Sequence, residues 1–172
     1  MMEKIPAPIG RALHGLRSGM EHTLYQEDAS AGIPMTILVT SSAFADGSAM
    51  DAKFTQDGPK LSPPLAWKGA PPAARALVLL IEDADSPTPR PIVHALIPDL
   101  GARDGELREG ALGERYRAPD PPPGHGPHRY VFQVYALREA PPPLKDKGDL
   151  RKVLENGEGL AKGRVIATYE RR

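Results

Sequence analysis

Residues 76–97 read ALVLLIEDADSPTPRPIVHALI, and this stretch decides the fold. Ala76–Ile81 is apolar on both faces, and its length suits a fully buried strand rather than a helix. The run ends abruptly in Glu82-Asp83-Ala84-Asp85-Ser86-Pro87, and a second apolar run, Ile92–Ile97, follows with one polar intruder, His94. Two short buried strands around a Pro-rich turn are building blocks of an all-β protein.

Working outward, His128–Leu137 (HRYVFQVYAL) is the longest strand candidate, and Met35–Ser41 and Arg164–Tyr169 read as further strands. Lys53–Thr55 reads as a short strand, and Leu61–Trp67, with two prolines, as an extended segment or edge strand. Arg103–Glu114 reads as a surface excursion and Pro119–Pro127 as a Pro/Gly loop. Ile9, Leu13 and Leu16 recur at helical spacing within Pro6–Gly19, and Tyr25–Gly32 reads as a polar linker. Asp149 is placed to cap a helix that runs to about Asn156, with Gly157 stopping it. The expectation is an all-β sandwich with short peripheral helices. It divides into an N-terminal extension over residues 1–32 and one domain over residues 33–172.

Composition narrows the function classes. Lys+Arg and Asp+Glu both number 22, so the formal net charge is zero. That argues against a nucleic-acid binder or a polybasic membrane binder, both of which need excess positive charge. No apolar run approaches the ~18 residues of a spanning helix. There is no Cys, which excludes disulfides, cysteine–zinc sites and thiol nucleophiles. Met1–Met20 carries Glu3, Lys4, Arg11 and Arg17 and lacks an apolar core, so it is not a secretory signal, and a cytoplasmic location is expected. The 20 Pro and 17 Gly exceed average usage, about 12% together, and favour short strands joined by irregular loops.

Three places put polar groups where a strand wants apolar ones. Asp83 and Asp85 follow the buried strand, where they either cap a turn through Asx hydrogen bonds or line a site at the sheet rim. His94 alternates with Ile92 and Leu96, which places all three on one strand face, as a core histidine or as a ligand. His128 shares a face with Tyr130 and Phe132, as a packing pair or as a pocket wall. His125 lies three residues before His128, but loop spacing sets no geometry. No His-Glu-x-x-His, no Gly-x-Ser-x-Gly and no phosphate loop before a helix occurs.

In order along the chain stand Ser41-Ser42-Ala43-Phe44, Asp57-Gly58, Leu61-Ser62-Pro63-Pro64-Leu65-Ala66-Trp67, Asp83-Ala84-Asp85-Ser86-Pro87 and Ile92-Val93-His94. Pro121-Pro122 and Gly124-His125-Gly126-Pro127-His128-Arg129-Tyr130 close the set. From about Thr36 to Tyr169 the chain resembles the phosphatidylethanolamine-binding protein family, in its bacterial Raf-kinase-inhibitor-like branch. Any one motif is weak; the ordered set is specific. The resemblance implies a Greek-key-like β-sandwich with a small anion-accepting pocket at one end. Carried over residue by residue, it places Asp83, Asp85, His94, His128 and Tyr130 at that pocket, with Pro121 and Pro122 in its wall. It also implies a cis bond before Pro87 and an ion pair of Arg129 with Asp83 or Asp85.

The family's Asp-Pro-Asp-Ala-Pro has Ala84 and Ser86 at its second and fourth positions here. The segment before His94 lacks the family's usual Trp, and Ala118 replaces a frequent Gly, so one pocket rim differs. The leading expectation is a binding module for a small anionic or phosphorylated ligand, regulating a protein partner. No cofactor, metal or catalytic residue is expected, and a homodimer through the N-terminal segment is the expected assembly. Two alternatives stand: a hydrolase or isomerase using His128 or His94 as acid–base with an Asp orienter, and a protease or kinase inhibitor acting through surface loops.

Overall fold

The computed structural model describes residues 5–172. Glu3 and Lys4, two of the charges that argue against a leader, lie outside them. Among the described residues, eight strands form two sheets. β1 (Leu38–Thr40), β3 (Leu65–Lys68) and β6 (Gly105–Leu107) make a three-stranded sheet in the order β1-β3-β6. β2 (Ser48–Ala49), β4 (Ala76–Asp83), β5 (Ile92–Ile97), β7 (His128–Leu137) and β8 (Gly159–Tyr169) make a five-stranded sheet in the order β2-β8-β7-β4-β5. Three short helices, α1 (Ala7–Ala12), α2 (Asp28–Ala31) and α3 (Lys147–Glu155), lie outside the sheets.

β4 is buried along its whole length because both its faces meet a core. Leu77, Leu79 and Ile81 point between the sheets, with Val39, Leu65, Trp67, Phe132 and Val165. Ala76, Val78 and Leu80 point the other way, against Tyr135 and Leu137 of β7, Leu150 and Leu154 of α3, and Leu24 and Tyr25 of the N-terminal segment. The same alternation carries past the apolar run, so Glu82 turns toward α3 and Asp83 toward the end of the space between the sheets.

Several sequence expectations are corrected. Lys53–Thr55 is not a strand: Ala52–Phe54 forms a 3-10 turn whose first residues are held by Asp51, which accepts from the Lys53 N–H. Leu65–Lys68 is the central strand of its sheet, not an edge, because Pro63 and Pro64 end just before pairing begins. The charged excursion contains β6, which pairs with β3. α3 is capped by Asp146, whose carboxylate accepts from the Asp149 N–H, so Asp149 sits in the first turn. The polar stretch Tyr25–Gly32 contains α2 and is anchored: Lys162 Nζ donates to the Tyr25 and Ser30 carbonyls, both at 2.8 Å, and lies 4.2 Å from the centre of the Tyr25 ring.

The sheets are tied where the chain enters β1. The Ile37 N–H donates to the Lys162 carbonyl (3.1 Å) and the Lys162 N–H to the Pro34 carbonyl (2.8 Å). Gly163 permits this crossing, since a Cβ there would overlap the Ile37 carbonyl. Gly163→Ala is therefore expected to lower stability by about 1–3 kcal/mol, measured by urea unfolding.

Candidate functional site

The site lies where β4, β5 and β7 end together. Asp83 pairs in register with Tyr130 across the β4–β7 ladder and with Ile92 across the β4–β5 ladder. β5 carries a bulge here: Val93 opposes Glu82 and Ala95 opposes Ile81, which leaves His94 as the extra residue. This overturns the expected shared face of Ile92, His94 and Leu96. Leu96 packs against the second core, whereas the His94 ring meets Tyr130 edge-on, 5.3 Å between centres. Bulges commonly re-aim a side chain next to a site. On β7 the alternation holds: Tyr130 and Phe132 face the core between the sheets, and His128 stacks against Tyr130 at 6.4 Å.

The polar atoms are committed in a definite pattern. Asp83 Oδ1 accepts from the Asp85 N–H (2.9 Å), and its Oδ2 lies 2.8 Å from His128 Nδ1. His128 Nε2 is 2.7 Å from Nδ1 of His125. His94 Nδ1 lies 2.5 Å from the Arg117 carbonyl. A carbonyl only accepts, so in neutral His94 the proton sits on Nδ1 and Nε2 is a bare acceptor. Two buried side-chain atoms here have no hydrogen-bond partner, His94 Nε2 and the Tyr130 hydroxyl. Burial pushes the His94 imidazole below its usual value, with the Asp83 charge pulling the other way. Burial also pushes the Tyr130 phenol well up, and the Asp83 charge adds to it.

Asp85 faces away from these atoms. Its carboxylate accepts from Arg129 Nε (2.7 Å), Nη2 (2.8 Å) and backbone N–H (2.8 Å), and Arg17 lies 3.2 Å off. Of the two acids the resemblance offered Arg129, the structure selects Asp85. Burial works against the Asp85 charge, but the hydrogen bonds from Arg129 outweigh it and hold the carboxyl below its ordinary value. Pro121 and Pro122 are buried at the loop before β7; the Pro121 carbonyl accepts from Arg171 (3.0 Å) and the Pro122 carbonyl from the His125 N–H (3.1 Å). No peptide bond among the described residues is cis, so the expected cis bond before Pro87 is corrected. The turn is closed by side chains instead: Asp83 holds the Asp85 N–H, and the Ser86 and Thr88 hydroxyls pair at 2.8 Å.

Sequence reasoning gave four groups no role at the site. His125, which stands in the ordered motif without an expected place at the pocket, is fully buried between Gly124 and Gly126, both at positive φ. Arg17 lies outside every motif. Asp120 and Arg171 pair at 2.8 Å beside Pro121, and both charges reach the Tyr130 hydroxyl.

The profile of the phosphatidylethanolamine-binding protein family matches residues 40–170. The chain belongs to this family. A UPF0098 protein of Methanothermobacter thermautotrophicus is 35% identical over 150 residues, covering 75% of this chain and 95% of its own. Phomoidride biosynthesis cluster protein B of a fungal species is 28% identical over 192 residues, covering 94% of this chain and 92% of its own. Among solved structures, a putative phosphatidylethanolamine-binding protein homolog from Chlamydia trachomatis superposes with a TM-score of 0.68 at 29% identity, over 80% of this chain and 99% of that one. E. coli YbcL superposes with a TM-score of 0.70 at 22% identity, over 80% and 99% of the two chains, and shares the fold. No described helix of this family member is long and apolar enough to cross a membrane.

Asp85→Asn is expected to cost about 2 kcal/mol at pH 7, discounted because Arg129 is partly exposed. A depressed folded pKa stabilises above the unfolded value, near 3.9, and that contribution is lost as pH falls through the folded value. The gap between wild type and variant should therefore close below about pH 4, read from urea midpoints between pH 7 and 3.

Proposed function

We propose that this chain is a non-catalytic binding protein for a small phosphate-bearing ligand, a phosphorylated headgroup or a free phosphomonoester, held between His94 and Tyr130. The observation that carries this reading is a pair of buried, unpartnered atoms, His94 Nε2 and the Tyr130 hydroxyl, carried by rings that meet edge-on. Each unpaired buried polar group costs about 1–3 kcal/mol, and a ligand that pairs both recovers that cost. A phosphate does so naturally. One oxygen accepts from the Tyr130 hydroxyl, and a second shares a proton with His94 Nε2.

The nearby acids do not cancel this attraction. Asp83 is paired with His128 and Asp120 with Arg171. With Asp83 and Asp85 both committed inside the protein, a ligand ammonium has no waiting carboxylate here, so the phosphate end carries recognition. The Asp83–His128 hydrogen bond resembles an acid–base pair. However, His128 directs its other nitrogen at His125, not at a substrate position, which favours binding over turnover. Action on a protein partner through surface loops has no comparable observation behind it.

Titration of inorganic phosphate, followed by the NMR signals of His94 and Tyr130, tests the reading. Because an anion raises the depressed His94 pKa, binding at pH 7.5 should take up about one proton and tighten as pH falls toward 6. Calorimetry in buffers of different ionisation enthalpy measures that uptake. Tyr130→Phe should leave urea stability unchanged or raise it by up to about 1 kcal/mol, since it removes an unpartnered hydroxyl. It should weaken phosphate about tenfold, about 1.4 kcal/mol. Wild-type affinity in both Tyr130→Phe and His94→Gln would sink the proposal.

A further inference from the structure

The His128 flank of the site is covered by the chain's own N-terminal segment. Residues 13–19 cross the ends of β4 and β7. The Ser18 and Gly19 N–H groups donate to the Ser86 (2.9 Å) and Ala84 (2.8 Å) carbonyls. Arg17 donates to the Pro127 (2.8 Å) and His125 (3.0 Å) carbonyls and pairs with Asp85. The Leu13 and Leu16 carbonyls lie 2.9 and 3.1 Å from His125 Nε2. α1 rests on the same loop as Pro121 and Pro122, and it can do so because a Cβ at Gly10 would overlap the Pro123 carbonyl.

The links from these carbonyls through His125 and His128 to Asp83 have a definite proton count. Two carbonyls accept from His125 Nε2, so that nitrogen carries a proton. Neutral His125 then offers Nδ1 as the acceptor for an N–H on His128 Nε2, and His128 Nδ1 and Asp83 Oδ2 share one further proton. One proton fewer sets two lone pairs against each other; one more sets two N–H groups against each other. The charged and titratable groups around His125 are His128 with Asp83 behind it, Arg17 paired with Asp85, and His14, whose ring centre is 6.3 Å away.

We propose that residues 13–19 form a strap over this flank, docked while a single proton lies between His125 Nδ1 and His128 Nε2 and released when His125 takes up a further proton. Burial, then the charges of His128 and Arg17, hold His125 below its usual imidazole value in the docked state. The free ring takes a proton more readily, so docking is full above about pH 6.5 and weakens as pH falls below it. Release stays local. Gly19, at φ 94°, is a ready hinge, and Leu24 and Tyr25 remain in the second core. That the strap gates the anion site rests on the function proposed above; the release itself does not.

Hydrogen exchange of the ligand-free full chain tests release. Protection factors of the Ser18 and Gly19 amides should fall at least tenfold between pH 7.5 and 5, while those of β4 and β7 hold. His125→Asn, which keeps a donor for the carbonyls but does not titrate, should remove this dependence. Gly10→Val should lower protection already at pH 7.5. Equal wild-type protection at both pH values, or the same fall in His125→Asn, would overturn the strap. Phosphate titration separates the two readings: absent phosphate binding with intact acid release defeats the functional proposal and leaves the strap standing.

Discussion

Three carboxylates at the end of one strand organise this molecule. Glu82, Asp83 and Asp85 are all buried, and a buried charge stripped of its partner costs about 3–5 kcal/mol. Each is answered from a different direction. Glu82 receives Lys147 of α3 (2.6 Å), the Leu24 N–H (2.8 Å) and Gln133 of β7 (2.8 Å). Asp83 receives His128, and Asp85 receives Arg129 together with Arg17. The N-terminal segment, α3 and β7 therefore all dock on the same few residues, and the candidate site lies among them.

This arrangement separates two kinds of polar group. Those that hold the fold have their partners inside the chain. Two of the buried atoms without a hydrogen-bond partner, His94 Nε2 and the Tyr130 hydroxyl, belong to rings that meet edge-on where the β5 bulge turns His94 toward β7. The functional reading rests on that contrast rather than on the size of any cleft. It also accounts for acidic residues beside the proposed anion site: each is already paired with histidine or arginine.

Much of this was legible in the chain. The β4 and β7 runs were readable because apolar residues on both faces admit few alternatives to a central strand. The ordered motifs pointed to Asp83, Asp85, His94, His128 and Tyr130, and the structure brings four of these together while Asp85 turns to the arginines. The face of His94 was misread because a bulge shifts period-two alternation by one residue, and nothing in IVHALI signals it. Arg17 and His125 were given no role at the site because their roles come from hydrogen bonds spanning more than a hundred residues.

The sequence by itself determined the strand-rich architecture, the family and the residue types at one end of the sheet, since periodicity and local motif order are properties of the chain. Only the tertiary structure decided which atoms remain unpaired, which acid answers which base, and that residues 13–19 close over the site. Hydrogen-bond satisfaction is a property of burial and three-dimensional contact, and no linear pattern encodes which partner reaches a buried group first.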